Sequence, residues 1–463
     1  MKKANILAFI SIFFLSSCKT ETKIQPTISY NIEEIVYPNE LQLSELPKPT
    51  QLNSMQDLSD FMDYVVFYST QPEMIYTTIT DEYKQLLQTD AQYQFNWAGQ
   101  YGSLAHNFIQ NYDLSKLNEN QIGVEGYIFD YAFKHYSLKE DNIKVINYEY
   151  YQDVLLKEKN QNRNIQNLPL YKNNNGFIEV ENSEQLFYAT LKNYFPYCKK
   201  GTKAYEMLAK LTGILSRIID DNMTEIEKFQ AIYNYVVCEN TYDYESFNYK
   251  DSKHTDYSCY FLEGILDYKN AVCDGIVKAL TVFCRLEGIE SYHIGAVSGQ
   301  GGHAYCYVKI GEQFYLSCPT SGSNIEKVNN LRYHTHTNLF MLTDYYTSSP
   351  SWDYFSDAYP DIKEQVMKGQ PYDYYFNYQV QLENETMNLV IDKKEKGIQI
   401  LSHVAKEAKR NALTMQIELL GDYKIMNEIY QSIQEKYNVI KVNNGMFNEK
   451  KAYAFIFDYG ERQ

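Results

Sequence analysis

Between residues 200 and 320 the chain reads helix, helix, helix and then three strands, and this order constrains the fold more than any other feature. "KAYEMLAKLTGILSRIID" and "TEIEKFQAIYNYVV" space their apolar residues three and four apart, as amphipathic helices do. The second opens on Thr224 and Glu227, a capping box, and turns Ile226, Phe229, Ile232 and Val236 toward a core. After the loop "CENTYDYESF", a third helix is expected to start near Cys273 in "NAVCDGIVKAL" and to stop at Gly288, a suitable residue for a left-handed helix end. "SYHIGAVSG", "HAYCYVKI" and "QFYLSC" then alternate like strands, with Gly301, Gly302 and Gly311 at the turns. Helices followed by consecutive strands imply an α+β fold, with the cysteine-bearing helix packed on an antiparallel sheet.

A cysteine at a helix N-terminus faces unsatisfied amide groups and the positive end of the helix dipole, both of which favour thiolate. To attack an amide, Cys273 still needs a base. His303 lies thirty residues on, at the start of a strand in "GGHAYCYV", where it can meet the helix across the helix–sheet interface. The other readings of Cys273 are a structural thiol and half of a disulfide.

These residues carry a resemblance. "AVCDGIVKALTVFCRLEGIESYHIGAVSGQGGHAYCYVKIGEQFYLSCPTSG" resembles the core of the transglutaminase-like superfamily, which is related to papain-fold cysteine proteases. The lead-in "MTEIEKFQAIYNYVVCENTYDY" and the stretch "FMLTDYY" are also similar to family segments, so the likeness runs over about residues 200 to 347. It implies a transglutaminase-like, papain-like core in which Cys273 is the nucleophile and His303 its base. The family's third residue is an aspartate that accepts the histidine's second N–H. Here that position holds Cys318, still followed by Pro319 and Thr320. A neutral thiol accepts hydrogen bonds weakly. In the serine triad, replacing the carboxylate by an amide lowers turnover by about four orders of magnitude, whereas papain-like enzymes work with a neutral asparagine. A second departure is "HAYCYV" for the family's "HAWN.V". Two functions follow as expectations. One is a cysteine hydrolase or acyltransferase on peptide or isopeptide amides. The other is a degenerate domain that binds peptides or glycans or assembles with partners. A third, a peptidoglycan-directed amidase or crosslinker, is motivated by location alone.

Location is read from the first residues. "MKKANILAFISIFFLSSC" has two lysines, an apolar run too short to span a bilayer, and an ending that resembles a bacterial lipobox. Residues 1–18 are therefore expected to be a lipoprotein signal peptide. Cys18 would be acylated, and the protein exported and anchored to the cell envelope at the outer membrane or cell surface. A polar, proline-punctuated linker is expected over 19–50 and an N-terminal α+β region over 51–180. There "SMQDLSDFMDYVVFY" reads as a helix capped by Ser54 and Asp57, and "PEMIYTTI" and "NIKVINYEYY" as strands. The transglutaminase-like core is placed at 181–350. A C-terminal α+β module at 365–463 reads strand, helix, strand, helix, strand, from "MNLVID" to "YAFIFDY", its helices covering one face of a sheet.

The formal charge of −16 argues against nucleic acid as a partner, since phosphate contacts need clustered lysine and arginine. No cofactor is expected. Apart from Cys18, seven cysteines fall between residues 198 and 318. None forms a CxxC pair, so a zinc site is not expected, and their odd number leaves at least one unpaired within a molecule. Cys273 and Cys318 would flank His303, a separation that disfavours a bond between them. His334 and His336 share a face of an extended segment, but two histidines without a third ligand read as surface residues rather than a metal site. His293 reads as a packed sheet residue. Asp274, next to Cys273, points away from the position of the missing acid. The 46 tyrosines are assigned to genome composition rather than to a binding surface.

Overall fold

The structure is a computed structural model. It describes Ile28, Tyr30 and residues 34–460, apart from short stretches and the longer segments 88–108, 127–142, 245–256 and 336–351. Cys18, His336 and "FMLTDYY" lie outside the described residues.

The N-terminal region starts with helix α1 (Met55–Tyr68). Its cap is the expected one: Ser54 Oγ accepts the Asp57 N–H at 3.2 Å, and the Asp57 carboxylate accepts the Asn53 N–H at 2.8 Å. Strands β1 (Glu73–Ile79), β2 (Ile109–Asp113) and β3 (Gln121–Gly126) form an antiparallel sheet with β3 in the middle. The strand expected in "NIKVINYEYY" is overturned in its second half. Ile143–Lys144 and Ile146–Asn147 are short strands, and Tyr148–Tyr150 then turn helical. The Asn147 side chain accepts the Tyr150 N–H at 2.9 Å, a helix-starting cap that outweighs the alternating pattern.

The core opens with α2 (Ser183–Leu191), α3 (Lys203–Ile218) and α4 (Glu225–Glu239). The capping box of α4 is present in full, and Phe229, Ile232 and Val236 are buried, with Ile226 at the margin. Strand β4 (Thr241–Tyr242) pairs in parallel with β5 (Asn270–Ala271), which leads directly into α5 (Cys273–Leu286). Gly288 ends that helix at a φ of 77°. The three expected strands follow as β6 (Ser291–Ser298), β7 (Gly301–Ile310) and β8 (Gln313–Ser317). With β9 (Trp352–Phe355) they form an antiparallel sheet in the order β8-β7-β6-β9. Ala304, Cys306 and Val308 of β7 join the large core shared with α5. Tyr305 and Tyr307 face the other way, into a smaller cluster with Leu316, Cys318 and Val366. This alternation is the period-two pattern of a strand buried on both sides.

In the C-terminal region helices α6 (Lys394–Asn411) and α7 (Tyr423–Gln434) pack against a sheet of β10 (Thr414–Gly421), β11 (Val439–Phe447) and β12 (Lys450–Asp458). β11 is an extra strand beyond the expected order. Its alternation is broken in sequence by "NNG", and the ladder has an irregularity between Asn443 and Gly445. The sheet's other face meets Val145, Leu331 and Tyr333, and residues 146–147 pair with β10. His334, expected at the surface, is buried there. Gln416 clamps its backbone, accepting the His334 N–H at 2.8 Å and donating to its carbonyl at 2.6 Å.

Seven of the nine largest fully buried side chains are tyrosines. Some of these bury a bonded hydroxyl, as at Tyr150, which donates to Glu239 at 2.8 Å.

Candidate active site

The site is built where α5 begins. Val272, in extended conformation, is the N-cap residue and offers no side-chain acceptor, so the first-turn amides of α5 receive no side-chain cap. Two contacts fix this end. The Val272 N–H donates to the Cys259 carbonyl at 3.1 Å, and Ile276 N–H returns to the Val272 carbonyl at 3.0 Å. Gly275 lets the turn around Cys259 approach: a Cβ at 275 would stand 2.3 Å from the Cys259 carbonyl oxygen.

Cys273 is half-buried, and its sulfur lies near the backbone amides of Ala304 and Asp274. Ala304 immediately follows His303 on β7, so the sulfur lies against the strand segment that carries the histidine. His303 pairs in register with Ala296 and sets its ring edge-on to Tyr305, with centroids 4.7 Å apart. Its Nε2 is 3.4 Å from Cys318 Sγ. Cys318 is fully buried just beyond β8 and donates to Ser321 Oγ at 3.4 Å. The backbone amides of Thr320 and Ser321 also face its sulfur. The chain therefore brings Cys273, His303 and Cys318 together. In the tautomer whose Nε2–H faces Cys318, Nδ1 carries the lone pair that a base needs.

The electrostatics differ from the expectation for a helix-start cysteine. Burial, then the neighbouring Asp274 carboxylate, push the Cys273 thiol up to about 12, partly offset by the two amides. Burial, and then the proximity of His293, hold His303 down to about 4. Burial also raises Cys318. The resting pair at neutral pH is a thiol beside a neutral imidazole, not a thiolate–imidazolium pair. Desolvation of the sulfur outweighs the helix end. Any attack by this sulfur would need its proton removed as the new bond forms, rather than starting from a preformed thiolate.

Asp274 lies against a different histidine. Its Oδ1 is 3.0 Å from Nε2 of the buried His293. Sequence reasoning missed this pair, as it missed Ser321 and the approach of Cys259 to Gly275. The signals were present as the four-residue spacing of Asp274 and Lys278 and as the glycine two positions after the cysteine. All seven cysteines among the described residues are free thiols, and no group of three metal-ligating side chains is found among those residues.

No curated protein matches this chain. A solved structure described as "Crystal structure of a TGase" aligns at 17% identity over 55% of this chain, with a TM-score of 0.22. The alignment covers 52% of that structure, so the chain spans about half of its length. The described chain is α+β, and residues 212–319, which hold α4, α5, Cys273, His303 and Cys318, match the family model of the transglutaminase-like superfamily.

Proposed function

We propose that the chain is a cysteine hydrolase or acyltransferase acting on peptide or isopeptide amides through a thioester at Cys273. The observation that carries this reading is the convergence at one place of Cys273, the β7 segment bearing His303, and Cys318, whose sulfur lies 3.4 Å from His303 Nε2. In the first step Cys273 Sγ attacks the amide carbonyl as its proton passes to His303. The imidazolium then protonates the leaving amine as the C–N bond breaks. Water or an amine attacks the thioester, again with His303 as base, and the thiol is restored. The backbone N–H groups at the start of α5 are the donors available to the oxyanion. Envelope anchoring through acylated Cys18 belongs to the same proposal and is supported by the sequence pattern of residues 1–18.

A second reading is supported by Cys318 itself. A neutral thiol at the acid position, with burial opposing both the thiolate and the imidazolium, suits a cleft that binds peptides without turning them over. The two readings part on thioester formation. The soluble fragment lacking residues 1–18 would be incubated with acyl p-nitrophenyl esters and peptide amides, then analysed by mass spectrometry after acid quench. An acyl adduct on Cys273, absent from Cys273→Ala and reduced at least tenfold in His303→Ala, is the expected result. Equal labelling of wild type and His303→Ala, or none, would leave the binding function as the better reading.

A further inference from the structure

Beneath the nucleophile lies a row of buried charges that the reaction above does not use. Asp274, Lys278, Glu184 and His293 are each at most 6% exposed. His293 Nε2 holds Asp274 Oδ1 at 3.0 Å, and Lys278 Nζ lies 3.6 Å from Asp274 Oδ2. The same ammonium reaches both oxygens of Glu184, on α2, at 2.8 and 3.0 Å, and the Tyr260 carbonyl at 3.1 Å. Four elements therefore meet at one ammonium–carboxylate chain: α2, the 257–260 turn, α5 and β6. Burying such a chain is costly, and a hydrophobic packing of the same volume would be as stable or more so. Its position one residue from the cysteine indicates a use.

We propose that Asp274 is a positioning residue for Cys273: flanked by His293 at one oxygen and by Lys278 at the other, it fixes the first turn of α5 and holds a negative charge beside the sulfur. The inference rests on the reading of Cys273 as nucleophile. Its consequence is a reserved nucleophile, kept as thiol until His303 takes the proton, which protects it from alkylation and oxidation. The charges around Asp274 agree with this role. Lys278 stays protonated because Asp274 and Glu184 both favour its charge against burial. Burial holds His293 below its ordinary value, and its ring stays against the Asp274 carboxylate at 3.0 Å. Burial raises Glu184 to about 7, with Lys278 opposing and Glu263 reinforcing the rise. Tyr188 and Tyr260, also raised by burial, face Asp274 as neutral hydroxyls at neutral pH. The Lys278 ammonium is thus shared between two carboxylates and lies closer to Glu184 than to Asp274, so the charge of Asp274 is only partly offset.

The experiment is the rate of iodoacetamide alkylation at Cys273 against pH, in wild type, Asp274→Asn, Glu184→Gln and His303→Ala, with circular dichroism confirming the fold. Asp274→Asn keeps shape and removes charge, so its midpoint should fall by about one pH unit, making alkylation about tenfold faster below the midpoint. Glu184→Gln leaves Lys278 wholly to Asp274 and should shift the midpoint the same way by less. A purely structural contact would move stability without moving the profile. A folded Asp274→Asn protein whose midpoint matches wild type would overturn the proposal. Should Asp274→Asn not fold, an unshifted Glu184→Gln profile would decide the same way. His303→Ala separates the two levels: no His303-dependent acylation together with a shifted Asp274→Asn midpoint would sink the hydrolase reading and leave the charge effect standing.

Discussion

At the scale of single residues, Cys318 decides how much chemistry the site can do. The pocket around it still suits an anion. His303 Nε2–H, the Ser321 side chain and the amides of Thr320 and Ser321 all converge on a sulfur that burial keeps neutral. In the proposed reaction, the imidazolium formed when His303 takes the proton from Cys273 would meet a thiol where a carboxylate would stabilise it. Cys318→Asp should therefore fit, restore the charge and raise turnover on the order of tenfold or more, measured as kcat on the best amide substrate. The pH profile gives the sign. In wild type the depressed His303 stays neutral, and so competent as a base, from neutral pH down to about 4, with activity lost below that. The new carboxylate favours imidazolium, so in Cys318→Asp the acid limb should move up to about 6 or higher. An acid limb left near 4, with turnover unchanged, would mean that residue 318 does not act through His303.

At the scale of elements, the seat of α5 matters more than its intrinsic propensity. Gly275 allows the Cys259 carbonyl to lie against the helix and to receive the Val272 N–H, and that bond orients the residue before the nucleophile. Gly275→Ala would improve helix propensity yet drive a methyl group into that carbonyl. We expect a destabilisation of about 1–3 kcal/mol by denaturant titration, with thioester formation at Cys273 lowered in the protein that remains folded. A variant as stable and as reactive as wild type would show that the turn moves freely. Much of this seat was legible in advance, because its signals are local. The Thr224–Glu227 box, the helix from Cys273 to the glycine at 288 and the three alternating strands sit where the pattern puts them. What the sequence did not disclose depends on distant partners or competing side chains. Asn147 turns an apparent strand into a helix start, β11 carries "NNG" inside a ladder held by β12, and His334 is buried because Gln416, 82 residues on, takes its backbone. The charge state of Cys273 was misjudged for the same reason: the helix start is local, whereas the burial and the acidic neighbour that oppose it come from the packed site.

At the scale of the whole molecule, the question is what sets the distance between the site and its anchor. Residues 34–50, read in sequence as the second half of a linker, run along the body. Ile35 is buried and its N–H donates to Tyr205 at 3.1 Å. Tyr37 bridges the strand at 195–198, donating to the Pro196 carbonyl and accepting from Cys198 N–H, both at 2.9 Å. Ser44 N–H donates to the Phe177 carbonyl at 2.7 Å. Ile28 and Tyr30 also pack against the core, so a tether from the proposed anchor at Cys18 has at most the residues before 28, about nine of them, which reach no more than about 30 Å when fully extended. Among the described residues no helix is long and apolar enough to cross a membrane, and the chain's charge of −16 opposes adsorption to anionic lipid, so in this proposal the acyl group at Cys18 has to supply the attachment. Expressed in a bacterium that acylates lipoproteins, the full chain should pellet with membranes, and Cys18→Ala should pass to the soluble fraction while keeping the wild-type Cys273 alkylation profile. Wild type found in the soluble fraction would remove the anchor from the proposal. A Cys18→Ala protein that still pellets would place the attachment elsewhere on the chain.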